Sequence, residues 1–453
     1  MTLDEVKALV EEKGIEFFLC SFVEMNGMPK AKVVPTTHLD DMAEEGAGFA
    51  GFAAGNMGQG PHDSDMMNIP DFHSVTLVPW RENMAWVAGN IHVDGEAYDY
   101  CPRTILQRQL EVAKQEGYVF NVGVEAEFML LKQDEHGDYA PYDPLDILDK
   151  PCYDLVTLNR NLDVMTMLIQ YMQGLGWGPY ANDHEDANCQ FEINWEYSDA
   201  LTTADRHTFY KWMVKVIAEE QGWLATFMPK PFAHLTGSGA HYHMSLPIPQ
   251  THMIVWDGQN ETNLFLDEQD QNGLSEMAYW FMGGLLRHAK ALVAIAAPLV
   301  NSYKRLVRGA PRSGASWAPV YVTYGASNRT QMIRIPGPGR IENRAVDGAS
   351  NPYLSCAAML AAGLDGIENK MDPGHRNDDN LYEVPEEVLL GREIEFLPST
   401  LQEALDYLEA DSIVKGALGE VYADYFIEVK REEWRQYHQS VSQWELENYL
   451  AIY

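Results

Sequence analysis

The stretch Lys230–Leu246 reads KPFAHLTGSGAHYHMSL, a glycine-punctuated loop that runs into an alternating segment. In the loop, Thr236-Gly237-Ser238-Gly239, glycine has no Cβ to keep backbone amides away from a ligand. In the strand-like half, His241, His243 and Ser245 share one face, and Tyr242, Met244 and Leu246 the other. Two imidazoles side by side suit a metal, a phosphate or a proton relay. The plainer alternative is a polar strand edge with two solvated histidines.

Three more segments repeat the arrangement. In VGVEAEFMLL, Glu125 and Glu127 lie opposite the apolar face of Val122, Val124, Ala126, Phe128 and Leu130. In NCQFEINW, Gln190, Glu192 and Asn194 oppose Phe191, Ile193 and Trp195, with Glu185 just upstream. In GRIENRA, Arg340, Glu342 and Arg344 oppose Ile341 and Asn343. Several such strands could line one cavity, where these carboxylates and a histidine would make one or two sites for hard divalent cations. The arginines suit planar recognition of carboxylate and phosphate.

The elements that must position these groups follow from pattern and punctuation. Phe17–Val23 and Lys30–Val34 form a hairpin around Asn26-Gly27. Gly46–Gly51 (GAGFAG) satisfies GxGxxG, but it follows an acidic helix-like segment and more glycines stand where a helix should begin. A flexible loop is therefore expected, not a dinucleotide site. Pro102 opens and Gly117 stops a helix over Arg103–Glu116. Helical spacing also covers Leu155–Gly174, Thr203–Leu224 and Met277–Ala297, whose Met and aromatic stripes read as core. Val307–Pro319 is a long Gly/Ser/Pro-rich loop, of the kind that serves as a lid, and the tail from Leu401 alternates helices.

At 453 residues two domains are expected, divided near Tyr100 into 1–100 and 101–453. The net charge of −35 argues against nucleic-acid binding, which needs clustered Lys and Arg. The five cysteines (Cys20, Cys101, Cys152, Cys189, Cys356), scattered and odd in number, read as reduced thiols in a cytoplasm. MTLDEVKALVEEKG is an acidic amphipathic helix, not a signal peptide. Arg287, His288 and Lys290 interrupt the most apolar stretch, Leu285–Val300, so no membrane span is expected.

The order EAEF, HE…QFE, GSGAHYHMSL, NSYKRL, IRIP and RIENR resembles the glutamine synthetase family through almost the whole chain, least in the first hundred residues. The resemblance implies an α+β fold, with a small N-terminal β-grasp-like domain and a larger C-terminal α/β catalytic domain on a curved antiparallel sheet. It also implies a homo-oligomer of stacked rings with active sites between subunits. The implied co-substrate is ATP, with two or more Mg²⁺ (or Mn²⁺) ions per site, glutamate and a small amine. Glu127, Glu185 and Glu192 match ligands of the metal nearer the amino acid, and Glu125, His241 and Glu342 those of the metal bridging the ATP phosphates. Tyr197, His243, Ser245, Arg334 and Arg340 match nucleotide contacts. Arg305, Thr236, Gly237, Arg329 and Arg344 match contacts to glutamate and the transferred phosphoryl group.

Departures from the family pattern bear on the amine. The family's Asn before Gly-Ser-Gly is Thr236, and its Gly before Gln is Cys189. The lid glutamate before Ala-Pro is Trp317, and an early ammonium-holding aspartate has no counterpart in Phe49–Ala54. With both acids missing, and an indole able to contact a methyl group and support a cation on its π face, methylamine is favoured over ammonia. Trp317 is thus expected among the catalytic residues with Arg329 and Arg344. The alternatives are an ammonia-using enzyme, a metal hydrolase built on His241-Tyr242-His243, and a non-catalytic relative.

Overall fold

The computed structural model describes residues 1–246, 263–309 and 319–453. Two sheets organise the chain. The first contains β1 (Phe17–Val23), β2 (Pro29–Pro35), β3 (Ala47–Phe49), β4 (Met66–Pro70), β5 (Thr76–Leu77), β6 (Met84–Val93) and β7 (Glu96–Ala97). Its main path runs β2-β1-β6-β4-β3. The expected hairpin forms with Val23 opposite Pro29, and β1 pairs in parallel with β6.

The GAGFAG stretch corrects the flexible-loop expectation. Gly46 ends the helix Leu39–Glu45, Ala47–Phe49 pairs with β4, and Gly51–Ala53 forms a 3-10 turn. Gly46 has φ +80°, and a Cβ there would sit 2.6 Å from the Asn68 carbonyl, so the glycine serves a helix stop and a close strand approach.

The second sheet contains β8 (Asn121–Gln133), β9 (Tyr139–Pro141), β10 (Pro179–His184), β11 (Gln190–Trp195), β12 (Ser198–Asp199), β13 (Leu224–Thr226), β14 (Ala240–Ser245), β15 (Tyr321–Gly325), β16 (Gln331–Gly337), β17 (Arg340–Asn343) and β18 (Glu395–Phe396). Its path is β10-β11-β8-β14-β17-β16-β15-β18. The expected antiparallel pairing holds throughout except at β15 and β16, which run parallel. The change of sheet between β7 and the helix Pro102–Gln115 is consistent with a division near Tyr100, which stands as a proposal.

The apolar faces read from the sequence bury themselves under helices. Val122, Val124, Ala126, Phe128 and Leu130 of β8 join one core with Phe209, Tyr210, Met213 and Ile217 of the helix Ala200–Glu220. Asp199 caps that helix by accepting from the Thr202 N–H. Two expected helices are each broken in two. Asn161 separates Leu155–Arg160 from Leu162–Gly174, and His288 separates Glu276–Arg287 from Ala289–Ala296. Each break has a side-chain anchor. Asn161 bonds the Tyr142 hydroxyl, and the His288 ring lies 2.9 Å from Asp365 and 2.6 Å from Asp411. Periodicity carries no signal of such anchors. No helix among the described residues is long and apolar enough to cross a membrane.

Candidate active site

Register across five neighbouring strands assembles the polar faces. Glu127 stands opposite Glu192, Glu125 opposite His241, His243 opposite Glu342, and Glu342 opposite Arg334. Because side chains alternate along each strand, these pairings stack the ionisable groups on one side and leave the core on the other.

Among the described residues, three sets of groups offer ligand atoms within 4.8 Å of one another: Glu127, Glu185 and Glu192; Glu125, Glu192 and His241; Glu125, His243 and Glu342. The first is the trio expected nearer the amino acid. In the set that includes Glu342, the histidine is His243, which the sequence had set on the nucleotide side. His243 Nε2 lies 3.1 Å from Glu125, while His241 Nδ1 lies 3.8 Å from Glu125 and 3.7 Å from Glu342.

The electrostatics of this cluster have identifiable causes. Burial, then the neighbouring Glu127, pushes the Glu185 carboxyl well above its ordinary range. Burial, then Glu185, Glu125 and Glu127, does the same to Glu192. Asp183, opposite Glu192, is raised to about 6 by burial and by Glu125 and Glu127. Glu342 is the opposite case. Burial opposes its charge, yet Arg344, His243, His241 and Arg334 hold it at about 2. Burial likewise opposes the charge on Glu125, and hydrogen bonds from His241 and His243 reverse the balance. Crowded oxygen donors that repel one another are the donor set a hard divalent cation requires, so Mg²⁺ or Mn²⁺ fits here.

A cavity of about 490 Å³ opens beside the cluster, lined by Glu125, His243, Ser245, Tyr197, Asn194 and Arg340 among others. That volume suits a small-molecule ligand. A Cβ on Gly123 would lie 3.3 Å from Tyr197, so the strand floor and this aromatic approach closely. Arg334 is turned to Glu342, donating at 2.9 Å, and Arg344 donates to the same carboxylate at 2.5 Å. The Nε atoms of both arginines are buried without a partner, so each keeps donor capacity.

The glycine loop closes over a third arginine. Arg305, in the short helix Ser302–Arg305, is buried and donates to the carbonyls of Arg344 and Ala345 at 3.0 and 3.4 Å. A Cβ on Gly237 would meet the Pro229 carbonyl at 2.4 Å, and one on Gly239 would meet Arg305 Nη2 and His241 Nε2 at 2.8 Å. Thr236 Oγ1 donates to Asp186 at 2.8 Å. Arg329 is exposed in the turn after β15, outside the arginines gathered at Glu342. Trp317, with most of the lid loop, lies outside the described residues.

The sequence reading did not single out Asp183 or Asp186, although both flank Glu185 in NDHEDANCQ. It placed Gln190 on the correct face without a role. Gln190 Nε2 donates to Glu127, the Gly237 carbonyl and Ser238 Oγ, each at 3.0 Å, and so ties the cluster to the glycine loop. Cys189, where the family often has Gly, holds φ +57°, a left-handed backbone that glycine takes without strain.

Comparison with known proteins is consistent along the whole chain. A family model described as "Glutamine synthetase, catalytic domain" matches residues 99–449. A glutamine synthetase of Rhizobium leguminosarum bv. phaseoli is 43% identical, with 100% of both chains covered. A glutamate–methylamine ligase of Methyloversatilis universalis is also 43% identical, again over 100% of both. The solved structure of a GmaS/ADP complex superposes with a TM-score of 0.90 at 47% identity, covering 98% of this chain and 99% of that one.

Proposed function

Since the chain belongs to the glutamine synthetase family of ATP-dependent ligases that form C–N bonds, we propose that it joins the γ-carboxylate of glutamate to methylamine through γ-glutamyl phosphate. The observation that carries this reading is the cation-ready cluster of Glu125, Glu127, Glu185, Glu192, His241, His243 and Glu342 beside a nucleotide-sized cavity.

Direct condensation of a carboxylate with an amine is uphill in water, so the carboxylate must first be activated. Its γ-oxygen attacks the γ-phosphorus of ATP and ADP leaves; the amine nitrogen then attacks the acyl carbon and phosphate leaves. Phosphoryl transfer of this kind is chiefly a matter of positioning and charge neutralisation. Divalent cations held by Glu127, Glu185 and Glu192, and by Glu125, Glu342 and a histidine, would neutralise charge on the reacting oxygens.

The remaining roles fall to this chain's own groups. Tyr197, Ser245 and Arg340 line the nucleotide side, with His243 and Arg334 at its boundary with the cluster. Arg305, Thr236 and Gly237 hold the glutamate end, where Arg305 keeps its place by bonding main-chain carbonyls. Arg344 and Arg329 stabilise the transferred phosphoryl group.

For the amine, the support is chemical: no acid stands at Ala50, Gly51 or Trp317, and an indole there favours a methylated cation. The equal likeness to a glutamine synthetase supports ammonia as the second reading. One methyl contact corresponds to a preference of roughly 10–200-fold. Initial rates with methylamine, ammonia, ethylamine and putrescine at matched free-base concentrations decide between them. Methylamine should lead, and Trp317→Glu should shift the bias towards ammonia. A wild-type preference for ammonia would make the protein a glutamine synthetase. The same reading carries a cytoplasmic homo-oligomer of stacked rings with its active sites between subunits.

A further inference from the structure

We infer that His184 and Asp146 are a positioning pair that fixes the turn carrying Glu185 and thereby sets the cation affinity of the cluster. The inference rests on the reading of Glu185 as a cation ligand.

Each of the other clustered glutamates is steered by a donor of its own. Glu127 accepts from the Gly239 N–H and Gln190, Glu192 from Asn194, Glu342 from Arg334 and Arg344, and Glu125 lies 3.1 Å from His243 Nε2. Among the described residues, no hydrogen bond or ion pair reaches the Glu185 carboxylate. Its position therefore derives from the backbone that carries it.

That backbone is fastened from behind. His184 ends β10, and the side chains of His184 and Asp146 are both 0% exposed. His184 Nδ1 lies 2.7 Å from the Glu185 carbonyl oxygen, which can only accept, so the ring donates there. The other ring nitrogen lies 2.7 Å from Asp146 Oδ2. That same carboxylate oxygen accepts from the Cys189 N–H at 2.6 Å, and Asp146 Oδ1 accepts from Asn188 at 3.1 Å. One carboxylate thus grips both ends of the turn, reaching Glu185 through the imidazole and Cys189 directly. The imidazole cannot swing away, because it stands edge-on to Phe191 with centroids 5.0 Å apart. The turn needs this restraint, since Cys189 holds a left-handed backbone that a non-glycine residue adopts only under strain.

The test is Mn²⁺ binding to the full chain without nucleotide, read from the electron paramagnetic resonance signal of free Mn²⁺. Removing an outer partner of a metal site weakens binding about 10–100-fold. Asp146→Ala and His184→Phe should each weaken it by at least about tenfold. Asp146→Asn keeps an oxygen at the Oδ2 position for the Cys189 N–H and the ring but turns its NH₂ against the Asn188 amide, so its affinity should fall between those of wild type and Asp146→Ala. Glu185→Gln serves as the control for the underlying assignment. Wild-type affinity in Asp146→Ala and His184→Phe, with Glu185→Gln weakened, overturns the positioning pair and leaves the cluster reading intact. Wild-type affinity in Glu185→Gln overturns that reading of Glu185 itself, and the inference with it. An Asp146→Asn as weak as the alanine variant also overturns the hydrogen-bonding account. A merely structural role would lower the melting temperature by circular dichroism without moving the Mn²⁺ affinity of the folded protein. Should Asp146→Ala not fold, His184→Phe, which preserves the ring packing, carries the same comparison.

Discussion

Glu342 meets opposing demands: it is fully buried, yet two arginines and two histidines keep it charged. Replacing it with alanine strands Arg334 and Arg344 and removes a cation donor, and Glu127→Ala removes a donor from the neighbouring set. Each should lower turnover on the order of 10²–10³-fold with the fold retained. Near wild-type rates in both at ordinary Mg²⁺ would show that these carboxylates hold no essential cation.

The same residues predict how stability follows pH. An acid whose folded pKa is raised destabilises the fold once ionised, and that cost disappears as pH falls through its folded and then its unfolded value. Asp183 at about 6, with Glu185 and Glu192 raised in the same direction, should make the metal-free protein more stable at pH 5 than at pH 8. Glu342 acts in the other direction and lower down. Its depressed pKa stabilises the fold above the unfolded value, and that gain is lost as pH falls towards about 2. Thermal unfolding at both pH values checks this, and excess Mg²⁺ should narrow the difference by compensating the crowded carboxylates. A metal-free midpoint unchanged between pH 5 and 8 would contradict it. At this scale the sequence is legible where alternation isolates a polar face, as in Glu125-Ala126-Glu127. It is not legible for Asp183, whose raised pKa comes from burial near Glu125 and Glu127, which lie on a strand far along the chain.

Among the elements, the junction of glycine loop and β14 bears most directly on substrate. Gly237 has no room for a side chain between the Pro229 carbonyl and Arg305. Gly237→Ala must displace main chain or the arginine, and should raise the KM for glutamate about tenfold or more, with little change in melting temperature. An unchanged KM would mean that the loop does not set the glutamate position. The strands themselves are readable because one buried face imposes a period of two. The breaks at Asn161 and His288 are not readable, because their causes are long-range partners, Tyr142 for one and Asp365 and Asp411 for the other. The sense of the β15–β16 pair is equally hidden, since alternation is the same in parallel and antiparallel strands.

At the scale of the molecule, the two sheets are joined by a buried polar clamp and an aromatic seam. Arg103, in the helix that follows the first sheet, donates to Asp205 at 3.0 and 2.9 Å, to Asp71 at 2.8 Å and to Asn90 at 3.1 Å. Trp80 and Trp86 of the first region pack edge-on or tilted against Phe209, and Trp80 also meets Trp212. Neither contact can be read from local pattern, because Arg103 reaches Asp205, and the tryptophans reach Phe209 and Trp212, across more than a hundred positions. What the sequence does convey at this scale is the order of motifs along the chain, and the family match over residues 99–449 agrees with that order. Activation of glutamate as an acyl phosphate before the amine attacks is tested most directly by isotope transfer. With glutamate carrying ¹⁸O in its γ-carboxylate, ATP, Mg²⁺ and methylamine, one ¹⁸O per turnover should appear in inorganic phosphate. Turnover that releases phosphate without ¹⁸O would contradict the account.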